Sequence, residues 1–300
     1  MAGVDISRGS TNVLLPPVVS QEIWKNTQYA SVIQSLCPSI NLPAGGLDIP
    51  IITGDPEAEW VAETDEKPVS RPTFGTKNLK GYTMAVIVPF STQVKRDLNT
   101  LYGALVERLP LVLAKKFDRT VLGFDAVPGS GFDSLAAAPT QSLSTNVYDG
   151  FVGALEKVTT SVPGADVEKW LLTAQAEIAA LGAKDSLGRP LFIDSVTSQG
   201  SVSREILARP VVKNPHAYNA VEDAPATIGF AGEWSTAFWG YVEGLRVDVS
   251  DQATLKDGNT VLNLWQRNMF AVRVEFEIGF AVRDVNRFVR LTGATTNNVS

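Results

Sequence analysis

The sequence predicts an α+β fold, and three observations carry that reading. Leu98, Leu101, Leu105, Leu109, Val112, Leu113, Phe117 and Val121 recur every three to four residues, the period of a single long helix. From residue 270 to 282, Phe270, Val272, Val274, Phe276, Ile278, Phe280 and Val282 hold the even positions, while Arg273, Glu275, Glu277 and Arg283 hold odd ones. That alternation marks a long strand with one buried face. Between Gly54 and Lys80 apolar periodicity all but vanishes, in a charged stretch punctuated by Pro56, Pro68 and Pro72. Compact domains rarely carry an excursion of that length without a function for it. Strands gathered around one long helix are the expected result.

The elements follow in chain order. Residues 1–17 are polar, stop at Pro16-Pro17, and read as an extended arm. Val19, Ile23, Val32, Ile33 and Leu36 then suggest one short, imperfect helix or two helical turns, ended by Pro38 and the Pro43-Ala44-Gly45-Gly46 cluster. A strand over Leu47–Ile52 precedes the excursion. A second, with Tyr82, Met84, Val86, Val88 and Phe90 on one face, follows it, so the whole resembles a long hairpin. The helix is expected from Asn99 to Gly123, roughly 35 Å at 1.5 Å per residue, with Asp97 or Asn99 as its cap. Pro110 predicts a kink, because the missing N–H and the ring clash cost about 3 kcal/mol in a straight helix. After a Gly/Ser/Pro/Ala-rich loop, Pro128 to Ser144, the pattern predicts a helix over Tyr148–Thr160, a short strand over Trp170–Leu172 and a helix over Ala174–Leu181. A turn at Asp185–Pro190 leads to a strand at Leu191–Ile193. Ser201–Val212 fits either class, and Gly229–Trp239 and Leu245–Val249 read as strands. There is no internal repeat and no heptad run.

Composition narrows the function. At 300 residues, 44% hydrophobic and 19% charged, the chain has the balance of one or two globular domains, which excludes collagen-like and disordered classes. The net charge, 26 − 32 = −6, argues against a surface built throughout for nucleic acid, though it leaves room for a local basic patch. One cysteine, Cys37, excludes an internal disulfide and a multi-cysteine metal site. One histidine, His216, excludes a histidine-rich metal centre and leaves a Ser-His-Asp triad little to build on. No run of 18 apolar residues occurs, and the first ten residues lack a charged-then-apolar signal region. The expectation is a soluble chain, not exported by the standard route, with no catalytic residues, no metal and no cofactor.

The local motifs agree. Gly129-Ser130-Gly131 lacks both the lysine of a phosphate loop and the spacing of a nucleophile elbow, and reads as a flexible loop. His216 has no histidine four residues away and reads as a surface residue, and Cys37 before Pro38 reads as a small buried hydrophobe. Glu57, Glu59, Glu63, Asp65 and Glu66 could be a glycosidase pair or a cation site, but in a proline-marked excursion a solvated or partner-facing surface is the plainer reading. Trp60 among them is either folded back or buried in another molecule. On the helix, Glu107, Arg108, Lys115, Asp118 and Arg119 fall within an arc of roughly 120°. Residues 95–119 hold six basic and three acidic side chains. The arc is either a solvated face or an interface with a polyanion.

Taken in order, these segments resemble the major capsid protein family of tailed double-stranded DNA bacteriophages, with the Hong Kong 97-type fold. The resemblance runs over nearly the whole chain. Ile49-Pro50-Ile51, then Glu59-Trp60-Val61-Ala62-Glu63, then Lys67-Pro68-Val69-Ser70 and Phe74 are similar to the family's extended loop. Met84 to Ser91 resembles its returning strand, and Asp118-Arg119-Thr120-Val121-Leu122-Gly123 the end of its spine helix. Trp170-Leu171-Leu172 with Asp185 to Leu191, Gly232-Glu233-Trp234-Ser235, and Phe270 to Val282 continue the match. Ile206 to Val211 departs from it, since the family more often has glycine where Ala208 and Arg209 stand.

The resemblance implies an N-terminal arm (1–46), an extended loop (47–90), a peripheral domain (91–144 and 251–300) with the spine helix at about 99–123, and an axial domain (145–250). It implies self-assembly as hexamers and pentamers into an icosahedral shell around double-stranded DNA, held by non-specific contacts, in a virion assembled in the host bacterial cytoplasm. A scaffolding protein, a portal and a decoration protein are the implied partners, and no membrane is. Any scaffolding domain would be separate or already removed, because the recognisable fold begins almost at Met1. Glu59, Trp60, Glu63, Lys67, Arg71 and Phe74 of the loop become candidate subunit-interface residues, and Arg108, Lys115 and Arg119 candidate DNA-facing ones. Two rivals remain: an encapsulin-type shell enclosing a cargo enzyme, and a polysaccharide hydrolase acting through the acidic loop.

Overall fold

A computed structural model describes residues 31–54, 56–61, 66–91, 98–183, 195–196, 202–203, 205–220, 224–242, 244, 246–258 and 260–295. Helix α1 (Val32–Leu36) and strand β1 (Ser39–Asn41) lead to a hairpin of β2 (Leu47–Gly54) and β3 (Thr73–Leu79). Then come β4 (Tyr82–Ser91), the long helix α2 (Leu98–Val121), β5 (Thr140–Ser142), α3 (Val147–Ser161), β6 (Lys169–Leu172) and α4 (Ala174–Gly182). Short strands β7 (Ser195–Val196), β8 (Val202–Ser203) and β9 (Glu205–Ile206) precede β10 (Arg209–Lys213), β11 (Pro225–Gly232), β12 (Ala237–Tyr241) and β13 (Arg246–Ser250). The hairpin β14 (Thr254–Asp257) and β15 (Thr260–Asn263), then β16 (Met269–Val282) and β17 (Phe288–Thr295), complete the described elements.

Strand β16 organises the first of two larger sheets. Its apolar even positions need cover on one face, and helix α2 supplies it. Leu113, Phe117 and Val121 meet Val272, Val274, Phe276, Ile278 and Phe280 in one core, with Phe117 edge-on to Phe280 at 6.5 Å between ring centres. Strand β4 runs antiparallel along one edge of β16, from Met269↔Ser91 to Ile278↔Tyr82. Along the other edge lie β13 (Arg246↔Glu275 to Ser250↔Ala271) and β12 (Ala237↔Val282 to Tyr241↔Ile278), with β1 added parallel to β12.

The second sheet runs β5-β17-β11-β6-β10-β9. Its core is formed with α3 and α4, where Phe151 packs edge-on to Trp170 at 5.0 Å and the Trp170 indole donates to the Ile206 carbonyl at 2.9 Å. The turn between β9 and β10 holds Leu207 and Ala208 at φ 54° and 61°. These are left-handed values that normally fall to Gly or Asn.

Several expectations change. Strand β4 is not the return strand of the excursion: β2 pairs with β3, from Leu47↔Leu79 to Gly54↔Thr73, so the hairpin closes near residue 80 and β4 serves the β16 sheet. The segment read as one strand over Gly229–Trp239 is two, split by a 3-10 turn at Trp234–Thr236 and sent to different sheets. Strands β12 and β13, expected with the axial residues 145–250, pair with β16, and β17, expected with 251–300, lies in the other sheet. Val112, on the apolar stripe of helix α2, is exposed rather than buried. Residues 1–30 of the expected arm (1–46), the cap at Asp97, the turn at 185–190 and the strand at 191–193 lie outside the described residues.

Candidate assembly surface

The hairpin β2–β3 projects from the β16 sheet because only its base has apolar partners. Leu79 is fully buried against Leu42 and Ala281, with Leu47 and Ile49 packed beside them. The Lys77 ammonium pairs with Asp133 at 2.8 Å, and the same carboxylate oxygen accepts from the Val282 amide at 3.0 Å. The Lys80 amide donates to the Gly131 carbonyl at 3.0 Å, and the Tyr82 hydroxyl to the Ser130 carbonyl at 2.5 Å. The Gly129-Ser130-Gly131 loop is therefore a clamp on the hairpin root. A Cβ at Gly279 would sit 2.3 Å from the Lys80 carbonyl oxygen, so glycine there permits the close approach. Farther out an open groove of about 280 Å³ separates Ile49 and Ile51 from Phe238 and Val282.

Beyond the base the loop has little to fold onto. Trp60 is fully exposed, Val69 and Phe74 are 82% and 70% exposed, and Glu59, Lys67 and Arg71 are exposed as well. The loop is tied across by the Glu57 amide, which donates to the Ser70 hydroxyl at 2.8 Å. Thus five of the six predicted loop residues share one projecting, solvent-facing segment, and Glu63 lies outside the described residues. Among the described residues, no cluster of histidine, cysteine and carboxylate side chains could hold a metal ion.

The helix arc divides. Arg108 and Lys115 are exposed, with Leu111 and Val112 between them at 56% and 53% exposure. Arg119 is half-buried: it pairs with Asp125 at 3.4 Å, reaches the Asn219 side-chain oxygen at 3.4 Å, and lies 5.5 Å over the Phe124 ring. The hydrogen bond from Lys116, 2.9 Å away, and then the charges of Lys116 and Arg119, hold the Asp125 carboxyl below its ordinary value. Asp118, read as part of a solvated or polyanion-facing arc, is fully buried. One of its oxygens accepts from the Ser31 hydroxyl at 2.6 Å, and the other accepts from the Val32 amide at 3.3 Å and lies 3.1 Å from His216 Nδ1.

Sequence reasoning missed that cluster, and no local signal marks it, because its members stand 87 and 98 residues apart. A serine, a histidine and an aspartate meet here, but the aspartate sits between the other two, so the imidazole cannot act on the hydroxyl as a nucleophile's base does. Cys37 is buried, and burial pushes its thiol up, away from the thiolate that nucleophilic chemistry needs.

A profile of the phage capsid family matches residues 11–293. The chain is 30% identical over 297 residues to "Probable major capsid protein gp17" of Mycobacterium phage D29, covering 94% of this chain and 91% of that one. It is 31% identical over 302 residues to the protein of the same name in Mycobacterium phage L5, covering 93% and 89%. A solved chain from Gordonia phage Cozz superimposes with a TM-score of 0.68 at 25% identity, over 89% of this chain and 87% of that one. A projecting hairpin, one long helix against a sheet, and a second sheet unit are thus the parts of a structural shell subunit. The chain belongs to the phage capsid family, with the Hong Kong 97-type fold.

Proposed function

We propose that this chain is a major capsid protein that assembles as hexamers and pentamers into an icosahedral shell enclosing double-stranded DNA, as a structural component without catalytic activity. The observation that carries the reading is the projecting hairpin with Trp60 fully exposed, in a chain aligned along nearly its whole length with phage capsid proteins. Burying a large apolar side chain is worth about 1.5–3 kcal/mol, which the isolated subunit forgoes at Trp60, Val69 and Phe74. A neighbouring subunit supplies that burial, with Glu59, Glu63, Lys67 and Arg71 at the polar rim, where each exposed ion pair adds about 1 kcal/mol or less. Arg108 and Lys115 then face the packaged DNA, whereas Arg119 is held by Asp125. The relatives are named as capsid proteins of phages, which disfavours the encapsulin reading. Scaffolding, portal and decoration proteins, and assembly in the host cytoplasm, belong to the same proposal.

The test is Trp60→Ala, alongside a variant in which 56–72 is shortened to a tight turn, followed by circular dichroism, sedimentation and electron microscopy. The expected subunit keeps near-normal helix content but forms few or no closed shells. Normal shells from the shortened variant would reject the role. Global unfolding would place the loop in its own subunit's core.

A further inference from the structure

The buried Asp118 cluster joins three distant parts of the chain: the start of α1, the later half of α2 and the 3-10 turn at Pro215–Ala217 beside the second sheet. Ser31 is 1% exposed and Asp118 0%, and the His216 side chain is 18% exposed at the edge of the cluster. The turn presents the imidazole because Asn214 caps it, accepting from the His216 amide at 2.5 Å. At the far end of α1, the Trp239 indole donates to the Cys37 carbonyl at 3.1 Å. The segment 31–37 is therefore pinned at both ends, and only the Asp118 end involves ionisable side chains.

His216 is the chain's sole histidine. Histidine is the side chain whose ordinary charge change falls between about pH 5 and 8. The charged groups around it come from the elements packed against the turn and α1. Helix α2 brings Asp118, together with Arg119, which is turned onto Asp125 and Asn219, and exposed Lys115 one turn away. Strand β6 brings Lys169, with Glu168 just before it, β11 brings none, and α1 ends at Cys37, whose thiol is pushed up by burial and then by the charges of Glu168 and Asp118.

We propose that the contact between Asp118 and His216 is a proton-linked latch holding residues 31–37 against the long helix and the second sheet. The protonated imidazole gives the buried carboxylate a cation and a charge-assisted hydrogen bond, whereas the neutral ring gives it one N–H at most. The latch tightens as pH falls through the histidine range and loosens as pH rises. This inference concerns the subunit and stands apart from the shell reading.

The experiment is hydrogen exchange of the full-length subunit at about pH 5.5 and about pH 8, corrected for the intrinsic chemical rate, on wild type and His216→Gln. Glutamine keeps an N–H donor near Asp118 but cannot titrate, and at a partly exposed site it leaves the core intact. In wild type, amides 32–37 should exchange about fivefold faster, after correction, at the higher pH. In His216→Gln that pH dependence should vanish, and amides of β16 should show none in either protein. An unchanged pH dependence in the variant, equal protection of 32–37 at both pH values, or a pH effect shared by β16 would each overturn the latch.

Discussion

Asp125 shows how a single residue ties helix α2 to the loop beyond its end. It sits just past the last turn, with Lys116 at 2.9 Å and Arg119 at 3.4 Å, two basic residues near the negative end of the helix. Its carboxyl is held below its ordinary value, with the Lys116 hydrogen bond as the largest cause. A carboxyl with a depressed folded-state pKa contributes stability above the unfolded value of about 3.9, and that contribution is lost as pH falls through the lower folded value. Asp125→Asn should therefore lower stability at pH 7 by about 1 kcal/mol or less. It should match wild type once pH falls below the folded value, with the two curves separating as pH rises through that value and the difference complete above about 4. Chemical denaturation across that range checks the sign, and a difference confined to low pH would contradict it. At this scale the sequence was least legible. Asp118 and Arg119 are neighbours in a charged helix, yet one is fully buried and the other stacks on Phe124. Only partners distant in sequence decide which.

At the scale of elements, legibility followed the environment of each face. Strand β16 was readable because its odd positions Arg273, Glu275 and Glu277 remain partly exposed while its even ones are buried. Strand β17 was not, because Phe288 and Val289 are buried on opposite faces and no alternation survives. Strand β3 escaped notice because Thr73–Leu79 offers only Phe74 and Leu79 as apolar residues, and backbone pairing with β2 does the rest. Helix α2 was readable in extent, but its exposed apolar pair Leu111 and Val112 was not, since the 3.6-residue period accepts either side of a broad stripe. That exposed strip, flanked by Arg108 and Lys115, is the part of the helix proposed to face DNA. Replacing both cations with glutamine should leave shell formation normal and reduce retained DNA length. It should also make retention less sensitive to salt, because phosphate contacts release counterions. Packaged-DNA sizing over a salt series checks this, and unchanged retention would remove the helix from the DNA-facing surface.

For the whole molecule, the general architecture was legible and the division of strands between the two sheets was not. Periodicity identifies a strand without naming its sheet. The connection from β11 to β12 changes sheets within the four residues Glu233–Thr236, where the Trp234 indole donates to the Lys169 carbonyl at 3.0 Å and its ring meets Phe288 edge-on at 5.2 Å. The two cores consequently share this crossing rather than a flexible linker, and Leu171, Phe230 and Phe288 of the second sheet join the core beneath α2.

The placement of β16 and β17 also sets when the subunit can exist at all. Among the described residues, β4 and β13 have no partner but β16, β12 reaches them only through it, and β17 lies between β5 and β11. Both strands fall in residues 269–295, so a ribosome makes them after every other described strand. Synthesis proceeds at about 5–20 residues per second, and throughout it the earlier strands wait with open edges. The first sheet cannot assemble before β16 has been made, β5 cannot join the second before β17, and such non-local pairing is slow to form. A chain ending at residue 268 should accordingly lack a cooperative thermal transition and be cut readily by protease, whereas one ending at 295 should resist. Protease resistance in the shorter chain would refute this order. Because neither sheet is complete in a half-made polypeptide, an unfinished chain has no subunit body to offer a growing head, and the position of two strands in the gene becomes a safeguard on what is allowed to join it.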